Sequence, residues 1–226
     1  MKKRTLIAMM ALLTAWVGCR ADEGMWIPML LQKYNIEDMQ RQGFRLTAED
    51  IYAINQASLK DAVIGLGREG RPFSHFCTGE LISGEGLMVT NHHCAFGMIQ
   101  AHSSLEHNYL RDGFWAASRQ EELANPGITA SILVRMEDVT DQINARLTSD
   151  MTDEQREAKV VEVCKELEKN AVEGTNLHAK IKPYFNGNQY FMSVFKIYKD
   201  VRLVGAPPSA IGKFGGDTDN WMWPRH

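Results

Sequence analysis

The sequence predicts a mostly β fold with added helices. Three observations carry that prediction: two β-prone runs around a Gly-containing turn within residues 76–90, an alternating run at 128–137, and a further run at 189–204. A chain of 226 residues that is 44% hydrophobic and 23% charged can build a sizeable core, which argues against disorder, a collagen-like repeat or a coiled-coil rod. The formal net charge of −3 is modest and the basic residues form no block, so no nucleic-acid partner is expected.

The first element is a leader. Lys2, Lys3 and Arg4 precede a twelve-residue apolar run at 6–17, too short to span a bilayer and proportioned like a signal-peptide core. Cys19-Arg20-Ala21 presents small residues for cleavage after Ala21, which predicts an exported chain of residues 22–226 in the periplasm or outside the cell. A competing reading acylates Cys19 as a lipoprotein cysteine; Trp16, bulky where such signals carry an aliphatic residue, argues against it. Removing Lys2, Lys3, Arg4 and Arg20 from the 25 basic residues leaves 21 against 28 acidic ones, so the mature chain sits near −7. Cys77, Cys94 and Cys164 then enter an oxidising compartment, with one pair and one leftover.

Residues 26–55 read as packing helices, with Thr47 and Asp50 spaced as a helix start. Gly65, Gly67, Gly70 and Pro72 break the chain. Phe76 to Ile82 and Leu87 to Thr90 then flank Ser83-Gly84-Glu85-Gly86 as a hairpin. Thr152-Asp153-Glu154-Gln155 has the form of a capping box, and Ala158, Val161, Cys164 and Leu167 follow it on one helix face. No internal repeat or low-complexity linker is present.

The chemistry concentrates between Cys77 and Cys94. Residues equidistant from a hairpin turn face each other, which can bring the two cysteines within bridging range and pin His93 at the end of the second strand. A histidine fixed there suits a general base: one ring nitrogen accepts a nucleophile's proton while a carboxylate holds the other. His75, His102, His107 and His178 read as structural or exposed. A zinc site made of Cys77, His92, His93 and Cys94 is the rival; neighbouring residues on a strand diverge, and export favours the disulfide.

The stretch C-T-G-E-L-I-S-G-E-G-L-M-V-T-N-H-H-C resembles the segment around the active-site histidine of chymotrypsin-like serine peptidases. With D-E-G-M-W at residues 22–26 and G-K-F-G-G-D-T-D-N-W-M-W-P-R-H at 212–226, the chain resembles the exported bacterial serine dipeptidyl-peptidases, the family that includes dipeptidyl-peptidases 7 and 11. The resemblance implies a chymotrypsin-like double β-barrel, of which this chain is the N-terminal portion, with a helical capping domain that it does not contain. It makes His93 the general base, Cys77 and Cys94 a disulfide, and Asn220 and Trp221 the holders of the substrate's free α-amino group. An amide oxygen accepts from an ammonium and an indole face attracts a cation, so the last assignment is chemically sensible. Asp217 and Asp219 sit in a Gly-Gly loop and read as turn residues, not as the triad acid.

The family's triad aspartate follows the W-M-W-P-R-H run, and its serine lies in a G-x-S-G context that none of this chain's serines shares. The expectation is therefore an aminopeptidase-type serine peptidase whose remaining triad members come from sequence beyond His226, this chain being inactive alone. It implies peptide substrates with a free N-terminus, no metal or organic cofactor, no membrane span, and leaves room for a homodimer of the longer enzyme. A periplasmic peptide-binding protein without catalysis, or an exported metal-binding protein, is the alternative. Cys164 is either a buried free thiol or the partner of a cysteine elsewhere.

Overall fold

The computed structural model describes residues 26–212, so the predicted leader, Asp217, Asp219, Asn220 and Trp221 lie outside the described residues. The chain divides into two units, with the boundary between Arg45 and Leu46. In the first, Pro28 opens a short 3₁₀ turn, followed by α1 (Leu31–Tyr34) and α2 (Ile36–Arg41). Proline fits there because the first helical N–H groups need no intrahelical partner.

The second unit begins with α3 (Ala48–Ile51), whose Thr47 cap and Asp50 exchange hydrogen bonds as a reciprocal box. Strands β1 (Val63–Arg68), β2 (Cys77–Leu81) and β3 (Met88–Thr90) lead into α4 (His92–His102) and α5 (Tyr109–Asp112). Two short strands, β4 (Phe114–Trp115) and β5 (Leu123–Ala124), precede the long β6 (Ile128–Asp138). Helices α6 (Thr140–Asn144) and α7 (Asp153–Asn170) are followed by β7 (His178–Tyr184), β8 (Gln189–Tyr198), β9 (Arg202–Leu203) and β10 (Gly205–Ala206). Among the described residues no helix is long and apolar enough to cross a membrane.

Six strands form one antiparallel sheet in the order β3-β2-β1-β6-β8-β7, and β10 with β4 and β5 with β9 form two small pairs. The mostly β class with added helices is what the structure shows; the described part of the sheet is open, with β3 and β7 at its edges. Among the described residues, apolar clusters pack these elements together. Val139, Ile143, Val163, Ile181, Met192 and Val194 join α6 and α7 to β7 and β8. Ile64, Leu66 and Ala130 pack β1 on β6, while Ile99, Leu203 and Ala206 seat α4 on β9 and β10.

Several boundaries differ from the sequence reading. Gly65 and Gly67 do not break the chain; they lie inside the central strand β1. A Cβ at Gly65 would stand 2.6 Å from the His75 ring, and one at Gly67 would stand 2.6 Å from the Pro72 carbonyl oxygen. The connection between β1 and β2 folds back over the strand, and only glycine leaves it room. Strand β7 carries no clear alternating signal in the sequence because Pro183 interrupts its pattern; it is an edge strand, where a missing N–H is tolerated. The run at 189–204 is one strand to Tyr198 and then two short ones.

The capping box at Thr152 and Gln155 forms as expected. The buried face of α7, however, is Val160, Val163, Cys164 and Leu167, whereas Ala158 and Val161 face solvent. Alternating hydrophobics two and three residues apart permit either face, and packing against β7 chose between them.

Candidate active site around His93

The hairpin of β2 and β3 pairs Gly79 with Thr90, Glu80 with Val89 and Leu81 with Met88. Continued as a strand, that register would set Cys77 opposite His92, not Cys94. Instead the strand ends at Thr90, extended Asn91 caps a helix, and Cys94 turns back onto β2. The expected placement of His93 at a strand end is thereby corrected: it stands in the first turn of α4. Sequence gave little warning, since Gly97 weakens the helix pattern and α4 buries chiefly Ile99.

Cys77 and Cys94 form a disulfide, with Cα atoms 5.9 Å apart. A ring nitrogen of His93 and the two sulfurs lie within 4.8 Å of one another. This arrangement anchors the first turn of α4 to β2, and Ile99, one turn and a half further on, anchors the helix from the other side. His93 is exposed, and among the described residues no hydrogen-bond partner meets its ring. It borders an open groove of about 640 Å³, whose walls come from β1, β2, α4 and the loop between β5 and β6. Arg68, Phe76, the disulfide, Met98, His102 and Asn125 are among the residues that line it.

The zinc alternative does not fit. The disulfide joins the two sulfurs that would have to be thiolate ligands. His92 lies outside the cluster, its Nε2 3.2 Å from Ser209 Oγ and its ring edge-on to Phe96. His107 and His178 are exposed, and His75 and His102 take structural positions. Nε2 of His102 lies 3.1 Å from Oδ1 of the buried Asn125. Nε2 of His75 lies 2.7 Å from Oγ of Ser131, which is 1% exposed, and Phe195 meets the His75 ring edge-on. Burial, and secondarily the charge of Lys182, hold the His75 imidazole below its ordinary value, so it prefers to stay neutral. Cys164 is a free, half-buried thiol pushed up by burial and by Glu168, hence a poor nucleophile.

The sequence profile of the Peptidase S46 family matches residues 21–226. The chain belongs to the peptidase S46 family. Dipeptidyl-peptidase 7 of Phocaeicola vulgatus is 46% identical over all of this S46 chain, which covers 31% of that protein. An Asp/Glu-specific dipeptidyl-peptidase of Capnocytophaga gingivalis is 48% identical over 90% of the chain, equal to 28% of its own length. The crystal structure of Porphyromonas endodontalis DPP11 in complex with the dipeptide Arg-Asp superposes with a TM-score of 0.76 at 42% identity, covering 91% of this chain and 29% of that one. The S46 chain thus spans about 30% of the length of the relatives it matches.

Two groove features of this S46 chain were not visible in the sequence: Arg68 lying over Phe76, and the pairing of His102 with Asn125. Both join residues from separate elements, and no local motif signals either.

Proposed function

We propose that this chain is the N-terminal part of an exported serine-type dipeptidyl-peptidase that releases dipeptides from free N-termini by acyl transfer. The observation that carries the reading is His93 at the mouth of the groove, held to β2 through the Cys77–Cys94 disulfide, in a chain of the peptidase S46 family. The relatives named as dipeptidyl-peptidases, and the neighbour solved with a dipeptide bound, support it.

The chemistry follows from those positions. A serine hydroxyl from sequence outside this chain attacks the carbonyl of the second peptide bond while His93 takes its proton. His93 then gives that proton to the leaving amine, and water repeats the sequence to release the dipeptide. Asn220 and Trp221 hold the substrate's ammonium, which fixes the cut two residues from the N-terminus. The leader at 1–21 delivers the chain to an oxidising compartment, where the disulfide persists. With one triad member, residues 1–226 alone hydrolyse nothing, because the triad acts as a unit.

The test is expression of the uninterrupted reading frame that begins at Met1, with product release followed by mass spectrometry. Free-N-terminal peptides should lose dipeptides, N-acetylated ones should not, and His93→Ala should lower kcat at least about 1,000-fold with the circular dichroism spectrum unchanged. Equal cleavage of acetylated peptides, or a fully active, folded His93→Ala variant, would overturn the reading.

A further inference from the structure

The groove beside His93 has an unexpected charge pattern. Among its described lining residues Arg68 carries the only formal charge, and neither aspartate nor glutamate faces the space, although acidic residues outnumber basic ones 28 to 25 in the chain. Arg68 is exposed, with its guanidinium carbon 5.3 Å from the centre of the Phe76 ring. Among the described residues it forms no ion pair, and its neighbour Glu69 is turned toward Lys199, 3.5 Å away. A guanidinium lying on an aromatic face keeps its in-plane N–H groups available, the geometry that grips a carboxylate with two parallel hydrogen bonds.

The mechanism says which part of a substrate enters this space. A general base that has taken the nucleophile's proton must return it to the leaving amine, so that nitrogen lies within reach of the His93 ring. The peptide attached to the nitrogen therefore starts at His93, and the groove that opens there is the space along which it continues. A volume of about 640 Å³ accepts a short stretch of peptide, not a lone side chain. Phe76, Met98 and Ile128 offer apolar wall, and Arg68 stands as the fixed cation on it.

We infer that this groove holds the leaving portion of the peptide and that Arg68 binds a carboxylate on it, either an acidic side chain or the C-terminal carboxylate of a short peptide. The inference rests on the dipeptidyl-peptidase reading and adds to it a specificity site across the scissile bond from the released dipeptide.

The uninterrupted enzyme is assayed with peptides that share their first two residues. One series carries Glu or Gln at the first or second position after the cut, with an amidated C-terminus; the other ends one or two residues after the cut in a free carboxylate or an amide. The reading is the ratio of kcat/KM between the charged and uncharged member of each pair. The expected ratio is about fivefold or more in at least one series, declining as salt rises, near one in Arg68→Gln and below one in Arg68→Glu. A general loss of activity cancels within each ratio, and the wild-type ratio with its salt dependence decides if the variants do not fold. Ratios near one throughout the wild-type set, or a ratio retained in folded Arg68→Gln, overturn the role of Arg68 while leaving the peptidase reading intact. Failure of the wild-type enzyme to release a dipeptide from any peptide overturns the peptidase reading and this site with it.

Discussion

Replacing both Cys77 and Cys94 with serine tests the anchor of His93 most directly. The bridge spans a sequence separation of 17 residues. Cross-linking a loop of that length removes about 10 cal/mol/K of chain entropy from the unfolded state, or about 3 kcal/mol of stability at 25 °C. Cys77 also packs beside the Ile64, Leu66 and Ala130 cluster, so a hydroxyl in its place adds to the loss. With a urea dependence of about 2 kcal/mol/M, the unfolding midpoint should drop by about 1.5 M. Urea titration of the oxidised protein and of the double variant, followed by tryptophan fluorescence, measures the shift. Alkylation of the unfolded, unreduced protein supplies a second readout: among residues 26–212 only Cys164 should label, and all three cysteines should label after reduction. A midpoint within about 0.3 M of the parent, or labelling of Cys77 and Cys94 without reductant, would refute the argument.

The other expectations concern β1, the connection that follows it and the β2–β3 turn. Because burial holds His75 below its ordinary value in the fold, the unfolded chain takes up its proton first; the shift has no effect at high pH, where both states are neutral, and lowers stability as pH falls through the unfolded value of about 6.5. Denaturation midpoints measured from pH 7.5 to 5 should decline less in His75→Gln than in the parent, and an identical decline would remove His75 as a source. Gly67→Ala drives a methyl onto the Pro72 carbonyl and should cost about 1–3 kcal/mol, whereas Gly84→Ala, with no atom within 4 Å, should stay within about 0.5 kcal/mol. Equal stability of the two variants in urea would show that the backbone does not approach as closely as described.

The legible parts of this molecule were those written in local chemistry. The Thr47 and Thr152 capping boxes, the β2–β3 hairpin and the long β6 strand each depend on residues a few positions apart, and each formed within a residue or two of its expected limits. Hairpin symmetry accounts for the disulfide only in part: it points Cys77 at residue 92, and the turn into α4 supplies the difference. What stayed hidden was set by distant partners. Gly65 and Gly67 look like a chain break until His75 and Pro72 are seen against them. Arg68 carries no local signal of its place until Phe76, just before β2, is seen against it.

Two of the attachments of α4 make it resemble a beam resting on separate supports. One end is bolted to β2 through the Cys77–Cys94 bridge, and the middle is wedged by Ile99 among residues of β9 and β10. Reductant withdraws only the bolt. The first turn would then lose its covalent tie to β2 while Ile99 still holds the middle of the helix, and His93, next in the chain to Cys94, stands where that loss falls. Loosening at Leu203 or Ala206 acts on the other support and leaves the covalent tie beside His93 in place.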